Sequence, residues 1–288
     1  MNKEITKKYI LDNLGVQPTE NFDAATAIRD RVDYLKNYLR GYNLKAIVLG
    51  ISGGVDSTTA GKIAQMAVSE LKSEGYQATF IAMRLPYNVQ LDEDEAQDAV
   101  KFINPDEVID TNIGAGVDGI LNSVVSGMFN AGMNKKDDEH SLDFAKGNIK
   151  ARMRMISQYA IAGLRGGVVL GTDHEAENLC GFYSKGGDGF CDLIVLNGMN
   201  KRQVRLCAKE MGAPEWLWSK VATADLEDDK PQISDEEALG FSYEMIDDFL
   251  EGKEIPSDIE DKIIHQFKIT DHKRHLPVSF FKLNLGRK

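Results

Sequence analysis

The chain has 288 residues, with 34 Lys and Arg against 45 Asp and Glu, a formal net charge of −11. That length fits one large α/β domain or two small ones, and 42% apolar residues supply a core and exclude a largely disordered chain. The acidic balance argues against a general nucleic-acid binder, and three cysteines without CxxC spacing argue against a disulfide scaffold or zinc ribbon.

The amino terminus, MNKEITKKYILDNLG, reads as a polar helix with no long apolar segment behind it. Neither a secretory signal nor a membrane span is expected, so no membrane partner and a cytoplasmic location are expected. Ile28, Val32, Leu35 and Leu39 mark one face of an amphipathic helix that Gly41 ends. Residues 45–51, KAIVLGI, form a continuous apolar run of the kind buried on both faces of a parallel sheet. A helical stretch from about Asp56 to Glu74 follows, then a strand from Ala78 to Leu85, an acidic helix from Asp92 to Phe102 and a strand over Glu107–Ile113. Residues 110–148, richer in Gly, Asn and charge, read as a helix and then a mobile loop, and Gly167–Gly171 as a further strand. Ser234-Asp-Glu-Glu237 is a capping box, and Leu239, Tyr243, Ile246 and Leu250 continue it at helical spacing. Alternating strands and helices give an α/β class, a parallel sheet flanked by helices on both faces.

One segment carries chemistry by itself. Gly50-Ile-Ser-Gly-Gly-Val-Asp-Ser57 follows a buried strand and opens a helix. Its glycines let successive N–H groups face an anion, Ser52 and Ser57 add hydroxyls, and the helix dipole favours negative charge. Asp56 beside phosphates makes sense if it holds a Mg²⁺ bridging them. Gly61-Lys62-Ile63 is not a Walker loop, and Gly114-Ala-Gly116-Val-Asp-Gly119, although it matches GxGxxG, follows a stretch too polar for a central strand. It reads as a loop and helix start.

The SGGxDS pattern resembles the signature of the PP-loop ATP pyrophosphatases, whose fold is adenine nucleotide alpha hydrolase-like. Residues 80–86 (FIAMRLP), 146–152 (KGNIKAR), 170–177 (LGTDHEAE), 200–203 (NKRQ), 223–231 (TADLEDDKP), 247–252 (DDFLEG) and 272–274 (HKR) resemble the short, ammonia-dependent NAD synthetases, in order along nearly the whole chain. The resemblance implies a ligase that adenylates the nicotinate carboxylate of deamido-NAD with ATP and then displaces AMP with ammonia, leaving NAD. It implies ATP contacts from Gly50, Ile51, Ser52, Gly53, Gly54, Val55, Asp56, Ser57, Arg84, Thr172, Lys201 and Thr223, with Mg²⁺ on Asp56 and Glu177. Arg152, Lys185, Asp192, His272 and Lys273 fall on positions that bind deamido-NAD, and Asp188 on the acid that binds or deprotonates ammonium.

Departures from the family pattern are Val55 in place of glutamine, the segment KGGDGFCD, Val221-Ala222 before Thr223, and the tail FFKLNLGRK. The organisation expected is one unit of 1–288: helices over 1–40, a core over 45–220, and a mobile loop, helices and tail over 221–288. No glutaminase domain is expected, because the synthetase motifs begin by residue 50. The resemblance also implies a homodimer with the substrate site at the interface, to which the stretches near Phe129 and Phe144 could belong. Rival readings are another pyrophosphatase, such as a tRNA thiolase, which would want a basic surface and paired cysteines, and an ATP-binding module without catalysis.

Overall fold

A computed structural model describes residues 3–14, 16–88, 93–133, 139–220, 223–224 and 233–275. Helix α1 (Lys3–Leu14) leads to α2 (Ala24–Gly41), which buries Ile28, Val32, Leu35 and Leu39 on the face their spacing predicts. Asp23 starts it by accepting the Thr26 N–H at 2.8 Å. Then come β1 (Ala46–Gly50), α3 (Val55–Ser73), β2 (Thr79–Arg84), α4 (Glu93–Ile103) and β3 (Glu107–Asp110). The chain continues through α5 (Gly114–Asn130), α6 (Glu139–Arg165), β4 (Gly167–Gly171), α7 (Glu175–Cys180) and β5 (Leu193–Ile194).

Among the described residues these five strands form one sheet in the order β3-β2-β1-β4-β5, every pair parallel. Successive side chains of a strand point to opposite faces. Ile47 and Leu49 of β1 accordingly join a core with α2 and α3, while Ala46 and Val48 join a second one with α5 and α6. Both faces are covered, as the unbroken apolar run requires. From β1 the chain passes to β2 on one side, while β4 pairs on the other. The loops that leave β1 and β4 therefore part and open a crevice at the carboxyl ends of these strands, where open α/β sheets bind ligands.

Strand β3 ends at Asp110, short of Ile113, and Gly114 opens α5 with its N–H on the Asn112 side chain at 2.9 Å. The GxGxxG match is thus a helix start at the sheet edge, as read. The remaining elements are α8 (Lys201–Glu210), α9 (Glu215–Ser219), a short antiparallel pair β6 (Thr223–Ala224) and β7 (Ile233–Ser234), and α10 (Asp235–Leu239). They continue with α11 (Tyr243–Leu250), α12 (Ser257–Ile269) and α13 (Asp271–Arg274). A third cluster of buried residues joins α1, α7, α11 and α12.

The single helical run expected from Ser234 to Leu250 is corrected here. Ser234 does cap α10, accepting the Glu237 N–H at 3.2 Å, but Gly240 takes a left-handed conformation (φ 78°) and ends it. Ser242 then caps α11. The mobile loop expected within residues 110–148 is corrected over 139–148, which open α6 as helix. The rest of that expectation falls on 134–138, and the loop expected after residue 220 falls on 221–222 and 225–232. These last three stretches, with the 276–288 tail, lie outside the described residues.

Candidate active site

The glycine-rich loop leaves the central strand at its carboxyl end. Gly50 N–H donates to the Gln158 side-chain oxygen (2.8 Å) and Ile51 N–H to the Met83 carbonyl (2.8 Å), so the loop starts from a fixed point. Gly53 has φ 91°, and a Cβ there would sit 3.0 Å from the Ala96 backbone nitrogen of α4, so only glycine fits. Gly54 is the N-cap of α3. The Ser52 and Ser57 hydroxyls lie 3.1 Å apart, and Ser57 donates to the Gly54 carbonyl at 3.2 Å. Val55, where the family pattern has glutamine, is buried and packs into the core with α2 and α3.

Asp56 lies in the first turn of α3 and meets two groups from distant sequence. Lys201 opens α8, whose start is fixed by a capping box between Asn200 and Gln203 and by Asp247 of α11, which accepts the Lys201 and Arg202 N–H groups at 3.2 and 2.8 Å. Its ammonium, only 1% exposed, stands 2.6 Å from Asp56 Oδ2 and 4.8 Å from the Tyr243 ring centroid. His174, the N-cap of α7, places Nε2 3.6 Å from Asp56 Oδ1 and 3.7 Å from Glu177 Oε2. Asp56, His174 and Glu177 each offer one ligand atom, and these atoms lie within 4.8 Å of one another. Asp56 Oδ1 and His174 Nε2 are buried without a hydrogen-bond partner.

Electrostatics separate these acids. Burial pushes Asp56 up, but the Lys201 ammonium outweighs it and holds the carboxyl below its usual range. Glu177, further from the ammonium, is driven up by burial and by Asp56. Asp173, on the loop after β4, is pushed up to about 8 by burial and by Asp188 and Asp56. His174 is pushed down to about 3 by burial and by Lys201, and stays neutral. Tyr243 donates to Asp235 at 2.9 Å beside this group.

A second group surrounds the loop between α7 and β5. Arg152 of α6 donates from two nitrogens to the Lys185 carbonyl, at 3.0 and 3.3 Å. Asp188 accepts the Ser184 N–H at 2.9 Å, and desolvation by the surrounding protein pushes its carboxyl up. Lys273 reaches in from α13 and donates to the Gly181 and Tyr183 carbonyls at 2.8 and 2.7 Å.

Other sequence-predicted residues fall elsewhere. Arg84 ends β2 buried rather than at the surface, paired with Glu93 and 3.8 Å from Asp110. Thr172 follows β4 and is half-buried. Asp192 extends the sheet edge: its Oδ2 accepts the Val169 N–H at 2.8 Å and its Oδ1 the Tyr159 hydroxyl at 3.1 Å. His272 is exposed on α13, and Thr223 belongs to β6 with its side chain outside the described ones. Sequence reasoning passed over His174, Asp173 and Tyr243. The first had a signal, because His174 and Glu177 stand three apart and share one helix face.

A doubly covered parallel sheet, with a glycine-rich loop running from its central strand into a helix N-terminus and an acid there paired with a buried lysine, defines an α/β enzyme of the nucleotide-using kind. Residues 27–277 match the family model "NAD synthase", and the chain belongs to that family of ligases, which form a C–N bond in NAD biosynthesis. It is 54% identical to the NH(3)-dependent NAD(+) synthetase of Shewanella woodyi over 93% of this chain and 97% of that one. It is 52% identical to the protein of the same name from Psychromonas ingrahamii over the same shares. The NAD+ synthetase structure from Burkholderia pseudomallei superimposes with a TM-score of 0.79 at 43% identity, over 96% of this chain and 98% of that one.

Proposed function

We infer that this chain amidates deamido-NAD with ammonia at the expense of ATP, releasing NAD, AMP and pyrophosphate through a nicotinate adenylate. The observation that carries this reading is the meeting of the loop 50–57, Lys201 and the Asp56–Glu177 pair at the carboxyl ends of β1 and β4, in a chain of the NAD synthase family.

A carboxylate resists nucleophiles until one of its oxygens becomes a leaving group. In the first step a nicotinate oxygen attacks the α-phosphorus of ATP, and the bond to pyrophosphate breaks. The N–H groups after Gly53, the Ser52 and Ser57 hydroxyls and the Lys201 ammonium receive the charge that develops on the leaving pyrophosphate. Arg84, Thr172 and Thr223 take further ATP contacts in this reading. In the second step ammonia nitrogen attacks the acyl carbon, AMP leaves, and Asp188 accepts the proton the nitrogen sheds. Arg152, Lys185, Asp192, His272 and Lys273 hold deamido-NAD. In support, Arg152 and Lys273 both already grip the loop that carries Lys185 and Asp188.

The donor set fits Mg²⁺: two carboxylates converge, and one Asp56 oxygen is buried and unpartnered. Asp56 and Glu177 would hold the ion, which supplies charge neutralisation on the phosphates. A homodimer is supported by the exposed apolar side chains on the adjoining helices α5 and α6, including Phe129 (70% exposed) and Phe144 (58%). No described helix is long and apolar enough to cross a membrane. In this reading the chain works in the cytoplasm as a synthetase unit that takes free ammonia or ammonia delivered by a separate partner.

The test is a coupled assay of purified protein with deamido-NAD, ATP, Mg²⁺ and ammonium, following NAD and pyrophosphate. NAD from ammonium but not from glutamine is expected, and pyrophosphate without NAD would move the acceptor elsewhere. Sedimentation of the same sample checks the dimer, and a fully active monomer would refute it.

A further inference from the structure

His174 reads at first as a third metal ligand, because its Nε2 stands within reach of both acids. The hydrogen bond at its other nitrogen argues otherwise. As N-cap of α7, the imidazole accepts the Glu177 backbone N–H at Nδ1, at 3.4 Å. A nitrogen that accepts holds a lone pair, so in the neutral ring the proton sits on Nε2. Nε2 lies 3.6 Å from Asp56 Oδ1 and 3.7 Å from Glu177 Oε2, just outside hydrogen-bond distance of each, and is buried with no other partner. Asp56 Oδ1 is itself buried without a partner, and Lys201 already takes Oδ2. A ligating Nε2 would need the opposite tautomer, and two N–H groups would then face each other at the helix cap.

We propose that His174 is a positioning residue: locked by the helix cap at Nδ1, it turns its Nε2–H to the facing oxygens of Asp56 and Glu177 and leaves the divalent-ion site with oxygen ligands only. The inference rests on the reading of Asp56 and Glu177 as the ion's holders. The donor orients two carboxylates that would otherwise repel each other, as hydrogen bonds from outside the ligand shell do in other metal sites. The site is thereby suited to hard ions of the Mg²⁺ and Mn²⁺ type rather than to imidazole-seeking zinc. The Tyr243 ring, 6.0 Å away by centroid and edge-on, packs beside the imidazole.

Three measurements on the full chain test this. The first needs no metal: long-range proton–nitrogen NMR spectra of the metal-free protein, with the His174 signal among the five histidines assigned by its loss in His174→Gln. A neutral ring protonated at Nε2 is expected, and protonation at Nδ1 alone would overturn the proposal. The second loads protein labelled with ¹⁵N-histidine with Mn²⁺ and ATP and records pulsed electron paramagnetic resonance. Bound Mn²⁺ without direct ¹⁵N coupling is expected. Bound Mn²⁺ with such coupling, lost in His174→Gln, would make His174 a ligand and sink the inference while leaving the metal reading intact. No bound Mn²⁺ in the wild-type protein would instead overturn the metal reading and the inference with it.

Mn²⁺ affinity separates positioning from mere packing. His174→Phe fills the space without a donor and should bind Mn²⁺ roughly 10–100-fold more weakly, whereas His174→Gln, which keeps an N–H, should recover most of that loss. Equal affinity for all three proteins, each shown folded by circular dichroism, would count against the donor role.

Discussion

Two halves of the site are built in different ways. The loop 50–57 is assembled from eight consecutive residues: glycine conformations, two serines bonded to each other and the start of α3. The wall facing it is assembled from groups that are far apart in sequence. Asp56 meets Lys201 across 145 positions, and α8, which presents Lys201, is itself held by Asp247 of α11. A locally built half should tolerate damage elsewhere in the chain, whereas the non-local half should lose its geometry and its stability together.

The largest expected effect therefore falls on the buried pair. Lys201→Met leaves the Asp56 carboxylate without its cation, and removal of one partner of a buried pair costs about 3–5 kcal/mol. Urea unfolding of this variant should show a loss of that order, and a near-neutral result would mean that the pair is not buried in solution. Asp56→Asn comes next. It should lower kcat by roughly 10²–10³-fold, the scale of losing one charge-stabilising group, while the intact loop still binds ATP in part. Undiminished turnover would remove Asp56 from the chemistry.

Gly53→Ala tests the local half. A residue other than glycine at φ 91° costs about 1–3 kcal/mol, and the new methyl presses on the backbone of α4. A lower thermal midpoint with weakened ATP binding is expected, and a crystal structure of the variant should show α4 displaced. The smallest effect belongs to the surface clasp between α2 and α3. Glu70 is bonded to Arg29 and Lys36, and these hydrogen bonds keep its carboxyl near pH 2. With the folded value below the unfolded one, the stabilisation is present above about pH 4.5 and is lost as the pH falls toward 2. Because the pair is a third exposed, Glu70→Gln should cost under about 1 kcal/mol at pH 7, less in high salt and nothing near pH 2. Thermal melts across pH would show it, and a deficit that persists at pH 2 would assign the loss to packing instead.

The same contrast governs how much could be read from the chain. Apolar period and glycine placement specified β1, β2, β4, α2 and α3 and the loop between β1 and α3, because these signals act within a few residues. The split of the 234–250 run at Gly240 escaped the reading, since helical spacing alone does not say that the glycine adopts a left-handed conformation. Asp192 was read as a substrate contact by resemblance, yet in the fold its carboxylate also extends the sheet edge, a hydrogen bond that depends on β4 lying alongside.

The sequence by itself determined the fold class, the glycine-rich turn from β1 into α3 and, through its motifs, the family, because periodicity and local turn chemistry are written in consecutive residues. Only the tertiary structure decided that Lys201 neutralises Asp56, that His174 points a buried nitrogen at two acids, and that Asp173 is pushed up to about 8. Charges interact through space, and their energies depend on burial and distance, which arise only when β1, β4 and α8 come together.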